Sequence, residues 1–195
     1  MQEKETDERL LERAGKGDGT AFQELYERHC GPVFRFAYRL SGNVASAEDL
    51  THDCFLSLIK RVQAFNPERG SLRTYLFGAT RNLWLKQLRT FDRELPLEDF
   101  DHDEFVVAEH APLRKVLDNE LSVVVAEAVA ALPVLQREAL VLFEYQGSSL
   151  SEIANVVNTD VGTVKSRLYR ARTSLRKSLT GYLNSSREIV TLEKA

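Results

Sequence analysis

Apolar residues recur at helical spacing along almost the whole chain, and the strict alternation that marks a half-buried strand is hard to find. The spacing predicts helices over residues 7–16, 20–41, 46–64, 71–90, 117–131, 134–146, 150–157 and 161–180. Pro32, Pro67, Pro96, Pro112 and Pro133 are expected at helix starts or breaks, because a ring without an N–H disrupts a helix interior. The fold class that follows is all-α. For 195 residues, two small helical domains are the expected arrangement.

Charge shows where they divide. Residues 1–92 carry 14 basic and 13 acidic side chains, and residues 121–195 carry 9 and 7. Between them, residues 93–120 carry 3 basic and 9 acidic ones with two prolines, the composition of a solvated acidic linker. The expected organisation is a domain over 1–92, the linker over 93–120, a second domain over 121–183 and a tail over 184–195. From Val161 to Arg187 there are seven basic residues and no acidic one, so a net charge of −3 conceals a local basic surface.

Composition removes several function classes. No apolar run approaches the roughly 20 residues of a membrane span. The start, Met1 to Glu8, has neither the basic nor the apolar part of a signal peptide, so a cytoplasmic location is expected, without membrane insertion. Cys30 and Cys54 are too few for a disulfide framework. Ala14-Gly15-Lys16-Gly17-Asp18-Gly19 lacks the spacing and the hydroxyl residue of a phosphate loop and reads as a turn between helices. His29-Cys30 and His52-Asp53-Cys54 offer metal-capable atoms, but adjacent positions do not share a helix face, and no metal or cofactor is expected. No nucleophile–base constellation stands out, and the chain does not read as an enzyme.

The C-terminal half carries a more specific signal. Ser149-Leu150-Ser151-Glu152 has the form of a capping box, and Leu150, Ile153, Ala154 and Val157 then give a short buried stripe. Asp160 offers a second cap to a helix striped with Val164, Leu168, Ala171, Leu175 and Leu179. Thr163, Ser166, Arg170 and Lys177 face away from that stripe, flanked by Lys165, Arg167, Arg172 and Arg176. A short capped helix, a tight turn and a longer basic helix make a helix-turn-helix. Its early residues would reach base edges and its later arginines would grip phosphate. An ordinary helix with a solvated basic face is the plainer alternative.

In the N-terminal half, Ser46 with Asp49 is expected to cap the third helix, turning Ala47, Leu50, Cys54 and Leu58 inward. Asp49, His52, Asp53 and Leu56 would then form an exposed, partly acidic face. Ser71 is expected to cap the fourth helix over a stripe of Leu72, Leu76, Ala79 and Leu83. Thr74, Gly78, Arg81, Asn82 and Arg89 would lie on or beside the exposed side, preceded by a loop with Asn66, Arg69 and Gly70, while Tyr75, Phe77 and Trp84 read mostly as core.

Leu132-Pro133, Arg137, Gly147, Glu152-Ile153-Ala154 and the run Gly162 to Arg172 (GTVKSRLYRAR) resemble region four of bacterial sigma factors of the extracytoplasmic-function group. Ala21 to Tyr26 (AFQELY), Ala47 to Leu56 (AEDLTHDCFL), Phe65 to Leu76 (FNPERGSLRTYL), Arg81-Asn82-Leu83 and Arg89 resemble region two of the same group. The resemblance implies an alternative sigma factor that binds core RNA polymerase at its clamp helices and flap, selects promoters and helps to open the DNA. It implies polymerase contacts from Asp49, His52, Asp53 and Leu56. It places the minus-ten element on Asn66, Arg69, Ser71, Arg73, Thr74, Arg81, Asn82 and Arg89. The upstream element would meet Thr163, Lys165, Ser166, Arg167, Arg170, Arg172 and Arg176. Promoter DNA and an anti-sigma factor are the further partners implied, and the acidic linker would thread the polymerase cleft. Tyr75, Ala79-Thr80, Lys86 and His52 depart from the residues usual in the group. The competing class is a free-standing helix-turn-helix repressor that needs no polymerase.

Overall fold

The computed structural model describes residues 5–91 and 119–192, all of whose regular elements are helical. Helix α1, Asp7–Gly15, is capped by Thr6, carries Asp7 and Glu8 at its positive end, and buries Leu10, Leu11 and Ala14. Gly17, with φ at +94°, reverses the chain as expected of that glycine-rich run. Asp18 then accepts from the backbone N–H groups of Thr20 and Ala21 to start α2, Gly19–Ser41.

Two sequence expectations change here. Pro32 lies inside α2 rather than at a break. Buried Leu25, His29, Val33, Phe36 and Leu40 hold the helix on both sides of it, so tertiary packing outweighs the lost hydrogen bond. Helix α3, Val44–Lys60, starts earlier than expected because Asn43, not Ser46, is the cap: its Oδ1 accepts from the Ser46 N–H at 2.9 Å. Residues 62–64, assigned by periodicity to this helix, form a separate 3-10 turn. A second such turn, Pro67–Arg69, leads into α4, Leu72–Phe91, whose first turn is capped by Ser71.

In the C-terminal half, α5 covers Asn119–Ala130 and α6 covers Val134–Leu140, running on into a π-helical turn at Val141–Tyr145. Helix α7, Leu150–Val157, and α8, Val161–Leu192, complete the order. Helix α8 continues well past residue 180, where periodicity ended it; no proline follows Pro133 to stop it. Pro96, Pro112 and the acidic linker lie outside the described residues, apart from the last two linker positions, which open α5.

Two apolar cores organise the molecule. One is formed by the N-terminal half alone, from Leu10, Leu25, Val33, Cys54, Phe55, Leu58, Leu72 and Leu76 among others. The other is shared. It joins Phe36, Leu40, Phe77, Trp84 and Leu85 from α2 and α4 to Leu132, Leu140, Leu142, Ile153, Val157, Val164 and Leu168 of the C-terminal half. Helix α4 therefore lies in a sandwich, with α3 on one side and α7 on the other.

Candidate polymerase and nucleic-acid interfaces

The helix-turn-helix is built from local chemistry. Ser149 Oγ accepts from the Glu152 N–H at 3.2 Å, and Glu152 Oε2 accepts from the Ser149 N–H at 2.8 Å, so the expected capping box is complete. These bonds hold the Glu152 carboxyl below its ordinary range. Asn158 ends α7 in the left-handed region, with φ at +53°, and Asp160 then accepts from the Thr163 N–H at 2.8 Å to start α8. Val164, Leu168 and Ala171 are buried, as the stripe requires. Lys165, Ser166, Arg170, Arg172 and Arg176 are exposed, while Thr163 and Arg167 are half-buried. Arg172 is partly engaged by Glu144, Nη2 to Oε1 at 2.7 Å. Tyr169, which the sequence reading passed over, is the most exposed large side chain of this face at 73%. Its signal was legible: an aromatic residue off the apolar stripe, among cations.

The expected minus-ten residues fare differently. Asn66, Arg69, Ser71, Asn82 and Arg89 are exposed, although Asn66 Oδ1 is already accepting from the Glu68 N–H. Arg81 is not on an exposed side, contrary to the periodicity argument. It is 8% exposed, and its Nε and Nη2 donate to Glu138 Oε2 and Oε1 at 2.6 and 3.1 Å. Arg73 Nη2 donates to the Gln146 carbonyl at 2.9 Å, and Thr74 Oγ1 donates to Glu152 at 3.3 Å. Asn155 Nδ2 reaches the Arg69 carbonyl at 3.4 Å. In each case the partner belongs to the C-terminal half. Helical spacing identified the face of α4 left over by its own domain; it could not show that a second domain covers it.

Glu138 and Arg137 were missed altogether. Glu138 is fully buried and also receives Arg167 Nη1 at 3.5 Å. Burial pushes its carboxyl up, against the pull of the Arg81 hydrogen bond. Arg137, 1% exposed, donates from Nη1 to the Leu40 carbonyl and from Nη2 to the Leu132 carbonyl, both at 3.0 Å. Burial lowers it to about 10, which leaves it charged at neutral pH. The available signal was two charges, at 137 and 138, on the stripe that Val134 and Val141 define.

On α3, Asp49, His52, Asp53 and Leu56 are all exposed, and Ala47, Leu50, Cys54 and Leu58 are buried, as expected. Tyr26 of α2 adds an exposed ring beside this face, packed on Phe55 at 4.8 Å between centroids. Cys54 is enclosed and hydrogen-bonded to the Leu76 carbonyl, its thiol pushed up to about 11 by burial. Among the described residues, no group of three potential ligands is placed to hold a metal ion, and no helix is long and apolar enough to cross a membrane.

Residues 25–94 match the family described as Sigma-70 region 2, and residues 122–175 the family described as Sigma-70, region 4. Over 177 residues the chain is 30% identical to the ECF RNA polymerase sigma factor SigW of Bacillus subtilis, covering 87% of this chain and 94% of SigW. This chain belongs to the ECF sigma factors of the sigma-70 family. The sigma factor is also 34% identical over 160 residues to the ECF RNA polymerase sigma factor SigE of Mycolicibacterium smegmatis. That match covers 82% of this chain but only 62% of SigE, so the chain spans less than two thirds of that relative. Its fold is similar to that of the sigma factor RpoE in complex with the anti-sigma factor NepR from Bartonella quintana. The TM-score is 0.65 at 28% identity, covering 82% of this chain and 96% of the other. Sigma factors are initiation factors rather than enzymes, so α3, α4 and α8 are to be read as binding surfaces.

Proposed function

We propose that this sigma factor binds core RNA polymerase through the α3 face, brings it to promoters through α8, and helps to open the DNA with α4 and the turn before it. The observation that carries this reading is the exposed acidic face of α3 in a chain that also has a helix-turn-helix: a free-standing repressor has no use for such a face. Asp49 and Asp53 would meet basic residues of the polymerase clamp helices, with Leu56 and Tyr26 as apolar contacts beside them. The C-terminal domain would contact the flap. Early residues of α8, chiefly Ser166, Tyr169 and Arg170, would read bases in the major groove, with Arg172 and Arg176 on phosphate. Asn66, Arg69, Ser71, Asn82 and Arg89 would meet the separated minus-ten strand, joined by Arg73, Thr74 and Arg81 when these are uncovered. An anti-sigma factor is a fitting regulator, since RpoE is held by one in the complex with NepR. A cytoplasmic site of action follows from these partners.

Purified chain mixed with core polymerase should co-elute with it. Reversing Asp49 and Asp53 to Lys should weaken that association at least tenfold, read by fluorescence anisotropy, with unchanged helicity. A chain that binds duplex promoter DNA but not core polymerase would return the repressor reading.

A further inference from the structure

The surface that opens DNA has to be bare when single-stranded DNA arrives, yet in this chain it is the most heavily covered of the three. Three independent contacts cover it. Glu138 takes Arg81 through two hydrogen bonds and at the same time receives Arg167, so one carboxylate holds a cation from each of the two DNA-binding domains. A carboxylate accepting a forked pair from a guanidinium presents the same chemistry as a phosphate oxygen pair. Arg137 reaches across to the Leu40 carbonyl in the last turn of α2, a helix end whose unpaired carbonyls favour a cation. At the rim, the Arg39 guanidinium lies 4.1 Å from the centre of the Tyr145 ring, and Arg73 is held by Gln146. Beneath these polar ties runs the shared apolar core with Phe77, Trp84 and Leu142.

Arg137 and Glu138 are adjacent on α6, and both are directed into the seam, one to α2 and one to α4. Leaving either without its partner would strand a buried charge, so the closed arrangement is separated from intermediate ones by a real cost. The polymerase face of α3 takes no part in the seam: Asp49, His52, Asp53 and Leu56 stay exposed in the closed chain. The first partner can therefore dock before the seam opens.

We propose that the free sigma factor is self-closed, with Glu138 standing in for DNA phosphate against Arg81 and Arg167, and that core polymerase uncovers the α4 face by parting the two domains. The closed chain would be competent for polymerase docking and incompetent for single-strand capture. The opening step rests on the sigma-factor reading; the closure of the free chain does not.

Spin labels on Cys introduced at Arg39 and Tyr145, in a Cys30→Ser background, report the seam directly, because Cys54 is buried and its thiol unreactive. This pair removes one rim contact and leaves those of Arg137 and Glu138 in place. Pulsed dipolar spectroscopy on the full chain should give one short separation, replaced by a longer one when core polymerase is added. In parallel, fluorescein-labelled oligothymidylate should bind Glu138→Gln, and the rim variant Tyr145→Ala/Gln146→Ala, on the order of tenfold more tightly than the unaltered chain, if about nine molecules in ten are closed. The rim variant keeps the buried pair and serves if Glu138→Gln does not fold. Distant labels in the free chain overturn the proposal. So does equal oligothymidylate affinity in the rim variant, or a separation that stays short in a polymerase complex that opens promoters. Failure of the unaltered chain to bind core polymerase would instead refute the sigma-factor reading, and the label separation in the free chain would still decide closure.

Discussion

Helices α4 and α8 carry much the same cargo: an apolar stripe on one side, and hydroxyl groups and arginines on the other. On α8 the polar side is open, and Ser166, Tyr169 and Arg170 are exposed there. On α4 the corresponding side is largely taken. Arg81 is buried against Glu138, Thr74 is tied to Glu152, and Phe77 and Trp84 are sealed in the shared core. The difference lies in what each helix packs against. Helix α8 is used once, by α6 and α7 of its own domain. Helix α4 is used twice, by its own domain and by the other. An amphipathic pattern specifies which side a helix needs to bury; it leaves open whether the remaining side meets water or another domain.

The sharpest way to break this comparison sets two glutamates of the same domain against each other. Glu138 pairs with Arg81 in the interior, whereas Glu144 pairs with Arg172 where both side chains are about half exposed. Glu138→Ala leaves buried cations without a partner and should cost about 3–5 kcal/mol. Glu144→Ala should cost about 0–1 kcal/mol, since solvent screens that pair. Urea denaturation of both variants gives the two numbers. Equal losses would mean that the seam is loose in solution and that the covered face of α4 is covered only in part.

Much of the fold could be read from sequence because its determinants are local. The capping box at Ser149 and Glu152, the Asp160 cap, the Gly17-Asp18 turn and the buried stripe of Val164, Leu168 and Ala171 each depend on residues within a turn or two of one another. The α3 face was legible for the same reason. The start of α3 was misplaced because Asn43, Ser46 and Asp49 are all competent caps, and only the backbone at Asn43 chooses among them. Pro32 was misplaced because tertiary packing overrides a local rule. The burial of Arg81 could not be found locally at all: its partner is 57 residues away, on the far side of the acidic linker.

A smaller effect sharpens the account of the open face. Arg170 and Arg176 are both exposed cations on α8, about one and a half turns apart. Early in a recognition helix an arginine meets base edges, and later it meets phosphate. Arg170→Ala should therefore cost about 1–3 kcal/mol on the preferred upstream sequence and much less on others, whereas Arg176→Ala should weaken all sequences alike and lower the salt slope. Binding to a randomised duplex pool, read by sequencing at two salt concentrations, separates the two. A uniform loss for Arg170 would show that α8 enters the groove in another register.

The smallest effect concerns Glu152, which serves both faces: it closes the capping box of α7 and accepts from Thr74 of α4. Its carboxyl is held low chiefly by the Ser149 backbone and hydroxyl donors, so folding favours the ionised form. The unfolded chain takes up the proton first as pH falls. The contribution of Glu152 is therefore complete above its ordinary value of 4.5 and is lost as pH drops through the lowered native one. Glu152→Gln keeps a side chain that can reach back to the Ser149 N–H but removes the charge. At neutral pH it should be less stable than the unaltered chain by about 0.5–1 kcal/mol, in the range of a single cap. That gap should close towards pH 3, where the native glutamate is also neutralised. Comparing the two chains at each pH cancels the titration of the other carboxylates, so the difference isolates this one. A gap independent of pH would mean that the negative charge of Glu152 contributes nothing, and that the amide holds both α7 and the Thr74 tie equally well.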